Sequence, residues 1–508
     1  MKKTALALMI ITILSKLFGF FREIVLAYYY GASNISDVYL ISDTIPNVIF
    51  GFIGAGIATT YIPVYTSALE NDGRLRSDSF TSNFLNLIFF ISTLVVGLVI
   101  IFAPYVVLAF ASGFSDEVLK LAVEFVRISV FAVYFNGCIH IFKSYLEVNG
   151  SFKVPASKGF ISNIFVISFI ALSSKYGIKL LPYGILLGMV SQALFLIPFA
   201  FKKGYRHKFV IDIKDKYLRK MIFLALPVIL GTSVNKINTL VDRTLASRIA
   251  VGGISALNYA NRLEGFITGI FVVSITTVMY PTLSKKYAEN NIVDFKGYII
   301  KSISAVNLFV VPAAVGALIF AEPIVKLLFN RGAFDEEAVI LTSGALFYYS
   351  IGLVSIGLRD VLSRGFFAMQ DTKTPVKNSA LGVILNIILN IILSRYMGLK
   401  GLALATSISA TFTMILMFIT LRRKLGMFGL KKAFNAFLKI AAASVVMAVI
   451  SKSVFRFLLN YYSSNRSLFW AVVVGVFLYF ILIYVFKIEE INEFVKDFKE
   501  KYIKKSRD

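Results

Sequence analysis

Charged side chains inside long apolar stretches are the residues of this sequence best placed to do chemistry. Lys16, Arg22 and Glu23 interrupt the first such stretch. Lys236, Asp242 and Arg243 interrupt another, and Arg262 and Glu264 the one after it. A Lys or Arg at the centre of a membrane helix costs about 2.5–3.5 kcal/mol on insertion scales. Several such residues persist only where they face water or a partner. Gathered in a wet chamber, they would make it cationic and suited to phosphates, which Arg grips bidentately and Lys meets as a point charge. The competing reading places Arg22–Glu23 and Asp242–Arg243 near helix ends, snorkelling or paired with neighbours. The chamber reading is favoured for Arg22 and Arg262. Lys16, Lys236 and Arg243 lean to the competing one.

Other polar groups recur at helical spacing. His140, Lys143 and Glu147 share one face, with Glu124 and Arg127 earlier on the same segment. Pairing near a helix end is the favoured reading there, and Arg359, Asp360 and Arg364 admit the same two readings. Asn386 and Asn390 lie one turn apart. With Thr406 and Asp242 they offer oxygen ligands to a hard cation such as Na⁺, although such residues also bond between membrane helices. Gly51, Gly54 and Gly56 crowd a segment between Pro46 and Pro63, where a helix can bend or pack closely. A phosphate-cradling GxxxxGK[ST] loop is absent, as is any aqueous loop long enough for a catalytic domain, so enzymes and ATP-driven motors are disfavoured.

The elements that position these groups are set by solvent. The chain has 508 residues and is 57% hydrophobic, with a mean hydropathy of +0.78. Ordinary soluble chains are roughly 45–50% apolar. Stretches near the roughly 20 apolar residues of a spanning helix recur throughout. They make an all-α polytopic membrane protein of fourteen expected transmembrane helices. The net charge of +25 sits mainly in short loops, as the positive-inside rule requires, which disfavours a nucleic-acid partner and leaves membrane lipids. Arg74, Arg76, Lys202, Lys203, Arg206, Lys208 and Arg422–Lys424 mark the inner side. Gly31–Ser36 and Ser112–Asp116 carry no Lys or Arg. Both termini are therefore expected in the cytoplasm. One Cys and two His exclude a disulfide framework and a Cys/His metal site. Met1-Lys2-Lys3 before an apolar run imitates a signal peptide, but Lys16 and Arg22 interrupt the run, which reads as a first helix.

An internal repeat runs at an offset of about 220 residues. Arg22 stands nine before Gly31, and Arg243 nine before Gly252. Pro104 stands nine before Gly113, and Pro323 nine before Gly332. Lys153-Val154-Pro155 matches Lys373-Thr374-Pro375. Six helices per repeat return the chain to one side, so the halves run parallel, related by an axis along the membrane normal. The expected organisation is an N-lobe over 1–210 and a C-lobe over 211–427 around a central cavity. Two extra helices follow over 428–488. Residues 489–508, where Ile491, Phe494, Val495, Phe498 and Tyr502 share a face, form an expected cytoplasmic amphipathic helix.

Several stretches resemble the MurJ (MviN) family of lipid II flippases, within the multidrug/oligosaccharidyl-lipid/polysaccharide exporter superfamily. They are Leu17-Phe18-Gly19-Phe20-Phe21-Arg22-Glu23, Asp37 through Pro46-Asn47, Asn258-Tyr259-Ala260-Asn261-Arg262-Leu263, Arg331-Gly332-Ala333-Phe334 and Asp371-Thr372-Lys373-Thr374-Pro375. The resemblance implies two lobes around a cationic cavity, with Arg22 and Arg262 binding the diphosphate. It implies Lys16 in place of a family arginine and Asp37 as a family carboxylate at the outer end of the second helix, both counted with Lys236 and Arg243 as candidate substrate-binding residues. It also implies a lipid-tail groove formed with the two extra helices. For some members it implies Na⁺ at positions matching Asp242, Asn386, Asn390, the Leu402 carbonyl and Thr406. Where the family often has an Arg pair and a Glu on the second helix, this chain has Phe50, Gly51 and Ala55, and Lys236 or Arg243 is the expected substitute. The implied activity is lipid II translocation across the bacterial plasma membrane by alternating access, driven by membrane potential or a cation gradient, in a monomer working beside the cell-wall synthesis machinery. A flippase for another polyprenyl-linked glycan and a cation-coupled multidrug exporter are the alternatives.

Overall fold

Apolar runs without water to solvate their backbone must satisfy every N–H and C=O internally, and the helix is the local way to do so. A computed structural model of the chain describes residues 2–427 and 429–486, and among them there are helices and connections but no strand. The amphipathic helix expected at 489–508 lies outside the described residues. The helices are α1 (Lys2–Tyr30), α2 (Asn34–Ile101), α3 (Ala103–Phe110), α4 (Asp116–Ser129), α5 (Ala132–Val148), α6 (Lys153–Tyr176), α7 (Leu180–Lys202) and α8 (Lys216–Ile249), continuing with α9 (Gly253–Ala288), α10 (Ile292–Ile319), α11 (Ala321–Phe329), α12 (Glu336–Ala368), α13 (Lys373–Met397), α14 (Leu399–Leu425), α15 (Leu430–Leu458) and α16 (Ser464–Val485).

Ten of these are long and apolar enough to cross a membrane, and eleven when the bent α8 is counted as one span. α8 bends by 47° near residue 230, just after Pro227, which removes a backbone donor and crowds the preceding turn. α2, at 68 residues, is two helical runs joined across a kink at Gly73, whose φ of 79° suits glycine. The apolar run that follows α3 is broken between α4 and α5. Outward-facing apolar side chains are plentiful, with Phe477 at 70% and Trp470 at 52% exposure. Hydrocarbon solvates such groups, and water does not.

The chain divides into two compact units, residues 1–256 with 331–338, and residues 257–330 with 339–508. α8, which the repeat assigns to the second half, thus belongs to the first unit, where it packs along α2. Asp215 caps its N-terminus, accepting from the Tyr217 and Leu218 amides at 2.8 and 3.1 Å. The same carboxylate takes Arg76 of α2 at 2.5 Å. Nearby, Tyr61, Tyr65, Tyr145 and Tyr205 form a buried aromatic group whose hydroxyls bond Thr81, Asp78, Arg74 and Ser82. In the second unit α9, α10, α12 and α14 close around Val272, Phe295, Ile299, Leu353, Phe366 and Met417. There α15 packs on both α10 and α16, and the Tyr479 hydroxyl of α16 donates to the Leu308 carbonyl of α10 at 2.6 Å.

Candidate functional site

The charges of α1 sit in two different settings. Lys16 is exposed. Arg22 donates through Nη2 to the Glu23 carboxylate at 2.8 Å, with side chains 19% and 1% exposed. The buried member is the acid, so the pair presents its cation to the more open side. Asp43 of α2 lies within electrostatic reach of the guanidinium. Packing against α6 fixes the height of this face: Phe18 meets Phe160 with ring centroids 5.0 Å apart.

Lys236 of α8 lies over the bare backbone of α2. A Cβ on Gly51 would fall 2.5 Å from its Cε and 2.8 Å from its Nζ. Gly51 is thus covered by an ammonium from another helix. One turn on, a Cβ on Gly54 would fall 3.3 Å from His140 Nε2 of α5. Lys143, Lys158 and Lys236 all bear electrostatically on the His140 ring, and Lys143 pairs with Glu147 at 3.9 Å. Lys158 did not stand out in the sequence, because a lysine soon after Lys153 and Pro155 reads as an ordinary inner-side topology signal. Its one distinguishing mark is that it stands more than a turn inside α6.

Asp37 and Arg243 converge elsewhere, on the turn between α8 and α9. Asp37 is 1% exposed and accepts from the Ser255 amide at 2.7 Å and the Ile254 amide at 3.4 Å. Gly252 has φ 72° and carries no side chain to cap α9, so a carboxylate from α2 takes that role. Ser36 reinforces it through the Ser255 hydroxyl at 3.1 Å, and Arg243 donates to the Ile254 carbonyl at 3.1 Å. Repeat-related glycines complete this region. A Cβ on Gly252 would collide with the Ala32 carbonyl, on Gly31 with that of Ala333, on Gly332 with that of Tyr28, and on Gly113 with that of Ser247. The Ala333 amide donates to the Tyr28 carbonyl at 2.8 Å.

In the second unit Arg262 is exposed on α9. Its neighbour Glu264 is buried, accepts from Asn261 at 3.2 Å and lies within electrostatic reach of Arg359 on α12. Arg364 stacks over the Tyr280 ring at 5.7 Å.

The five candidate Na⁺ ligands divide between the units. Asp242, in the first, accepts from Asn238 at 3.2 Å. Asn386, Asn390, Leu402 and Thr406 come together on α13 and α14. Asn390 donates to Asn386 Oδ1 at 2.9 Å, Asn386 to Ser409 at 3.3 Å and Thr406 to the Leu402 carbonyl at 3.1 Å. This is an interhelical hydrogen-bond network whose oxygens are all neutral. A hard cation fits the oxygen types, and at Asn386 Oδ1 it would have to displace the Asn390 amide. No cluster of three His, Cys, Asp or Glu occurs among the described residues.

An apolar cavity of about 430 Å³ opens between α9, α10, α15 and α16, lined by Phe271, Phe309, Gly316, Met447, Gly475 and Phe480 among others. Its polar lining is limited to Ser451 and Tyr479, the latter already bonded to Leu308. Such a lining suits hydrocarbon.

The sequence model of the family described as lipid II flippase MurJ matches residues 26–489. A relative from Thermotoga maritima, named a probable lipid II flippase MurJ, is 30% identical over 496 residues, 97% of this chain and 98% of its own. A solved lipid II flippase MurJ in an inward closed conformation superposes with a TM-score of 0.83 at 28% identity, covering 94% of this chain and 98% of its own. An inward-facing multidrug resistance MATE transporter shares the fold alone, with a TM-score of 0.68 at 17% identity over 82% of this chain and 96% of its own.

Proposed function

This chain belongs to the lipid II flippase MurJ family, and from that membership we propose that it carries lipid II, the undecaprenyl-diphosphate-linked peptidoglycan precursor, across the bacterial plasma membrane by alternating access. It works as a transporter, not as an enzyme. The observation that carries the assignment of roles is the Arg22–Glu23 pair. A buried carboxylate holds a guanidinium whose side chain is 19% exposed, in the last third of α1, through one nitrogen, and a guanidinium has five N–H donors to share. The cation is thereby oriented while keeping donors for diphosphate oxygens. Arg262 supplies the matching cation of the second unit. Lys236 replaces the charge missing from Gly51, and Lys16 adds a point charge on α1.

The apolar cavity beside α15 and α16 is where the precursor's hydrocarbon tail would lie, so residues 428–488 serve the tail and the two lobes, 1–210 and 211–427, serve the headgroup. Reading α2 as two crossings, α4 with α5 as one, and α1 and α8 as one each brings the crossings to fourteen, with both termini cytoplasmic. The protein acts as a monomer beside the wall-synthesis machinery. Membrane potential or a cation gradient drives it, at about 2.3 kcal/mol per charge per 100 mV. Na⁺ is the proposed coupling ion, with Asn386, Asn390, Thr406 and the Leu402 carbonyl as its ligands in the second unit and Asp242 as the candidate in the first.

Depletion of the resident flippase in a bacterium, with this chain supplied in its place, tests the assignment. Wild type should restore wall synthesis, while Arg22→Ala and Arg262→Ala should each fail. Full rescue by both variants would overturn the roles given to the two arginines.

A further inference from the structure

The first unit holds a basic cluster that diphosphate binding at Arg22 does not use. His140 and Lys143 come from α5, Lys158 from α6 and Lys236 from α8. The three lysine charges all act on the His140 ring, and Lys143 and Glu147 both act on Lys158. Glu147 is the one carboxylate paired here, 3.9 Å from Lys143. Among the described residues neither Lys158 nor Lys236 is in an ion pair. Like charges brought together between membrane helices are unfavourable unless an anion joins them. The group is also open to one, since the Lys143 side chain is 41% exposed.

Room for the cluster comes from α2. Gly51 and Gly54 lie on one helical face, and the absent side chains are what let the Lys236 ammonium and the His140 ring lie against the backbone. The height is fixed by α1. A Cβ on Gly159, beside Lys158, would touch the Ser15 hydroxyl. Ser15 precedes Arg22 by seven residues, which is about 10 Å along a helix. The cluster therefore lies at a separate level from Arg22, toward the Lys2 end of α1. Ammonium groups are point charges that each hold one oxygen, whereas the forked geometry suited to a diphosphate belongs to arginine.

We propose that His140, Lys143, Lys158 and Lys236 form a second anion subsite that takes a carboxylate of the precursor's peptide while Arg22 takes the diphosphate. The proposal rests on the flippase reading and deepens it. One subsite holds the phosphates, the other holds the far end of the headgroup, and the sugars span the distance between them. The chain thereby distinguishes a peptide-bearing precursor from other polyprenyl diphosphates.

Binding to the purified full-length protein in nanodiscs tests this, using lipid II, undecaprenyl diphosphate, and lipid II with its peptide carboxylates amidated. Lys143→Gln with Lys158→Gln should weaken lipid II binding about tenfold or more and leave undecaprenyl diphosphate unchanged. Amidated lipid II should bind wild type as weakly as lipid II binds the double variant. Arg22→Ala should weaken all three lipids. Unchanged lipid II affinity in the double variant, or an equal loss for undecaprenyl diphosphate, overturns the subsite. Failure of the wild type to bind lipid II overturns the flippase reading itself, and that outcome appears before any variant is made.

Discussion

Replacing Asp37 by Ala removes the only side-chain acceptor that the described residues offer to the first amides of α9. The carboxylate holds the Ser255 amide at 2.7 Å and the Ile254 amide at 3.4 Å, in a place where water cannot replace it because Asp37 is 1% exposed. Losing a helix cap costs about 1 kcal/mol. Leaving a buried donor unsatisfied costs about 1–3 kcal/mol. These overlap, since the cap bonds are the ones lost, and a net cost of about 2 kcal/mol follows. Local opening of that turn would then be easier by about thirtyfold. Hydrogen exchange read by mass spectrometry on a peptide covering 252–258 measures this directly. Asp37→Asn keeps an amide oxygen in the same place without its charge, so it should show a smaller acceleration. Exchange at the wild-type rate in Asp37→Ala would refute the cap, and would return Asp37 to the list of residues available to substrate.

Two further outcomes follow from the loops. Gly332 and Gly150 both have positive φ, 63° and 76°, but a Cβ on Gly332 meets the Tyr28 carbonyl whereas one on Gly150 meets nothing within 4 Å. Gly332→Ala should therefore lower the thermal midpoint clearly more than Gly150→Ala, whose cost is backbone strain of about 1 kcal/mol; equal losses would show that the close approach does not matter. At the junction of α12 and α13, burial works to raise the Asp371 carboxyl, but the Lys424 ammonium and the Thr374 hydroxyl and amide outweigh it and hold it at about 2. A depressed carboxyl contributes stability that is fully present above its ordinary value of 3.8 and is lost as pH falls through about 2. Asp371→Asn should accordingly lower the midpoint of thermal unfolding at pH 7, and the gap to wild type should close between about pH 4 and pH 2. A gap independent of pH would show that the charge contributes nothing.

The sequence by itself determined the helices, their apolar faces, the repeat and the list of charges that no lipid would tolerate. These are local properties: length and apolarity fix a spanning helix, and a buried charge is legible wherever the run around it is apolar. The Asn386–Asn390 pair was legible for the same reason, since one helical turn separates the two and a short connection brings α14 alongside. What Asp37, Lys236 and Lys158 do was decided only by tertiary structure. Asp37 meets amides some 217 residues away in sequence, Lys236 lies over a glycine of another helix, and Lys158 gathers with charges from α5 and α8. Which side chains meet depends on helix crossing angle, rotation and height, and those are set by packing between helices that no residue pattern within one of them records.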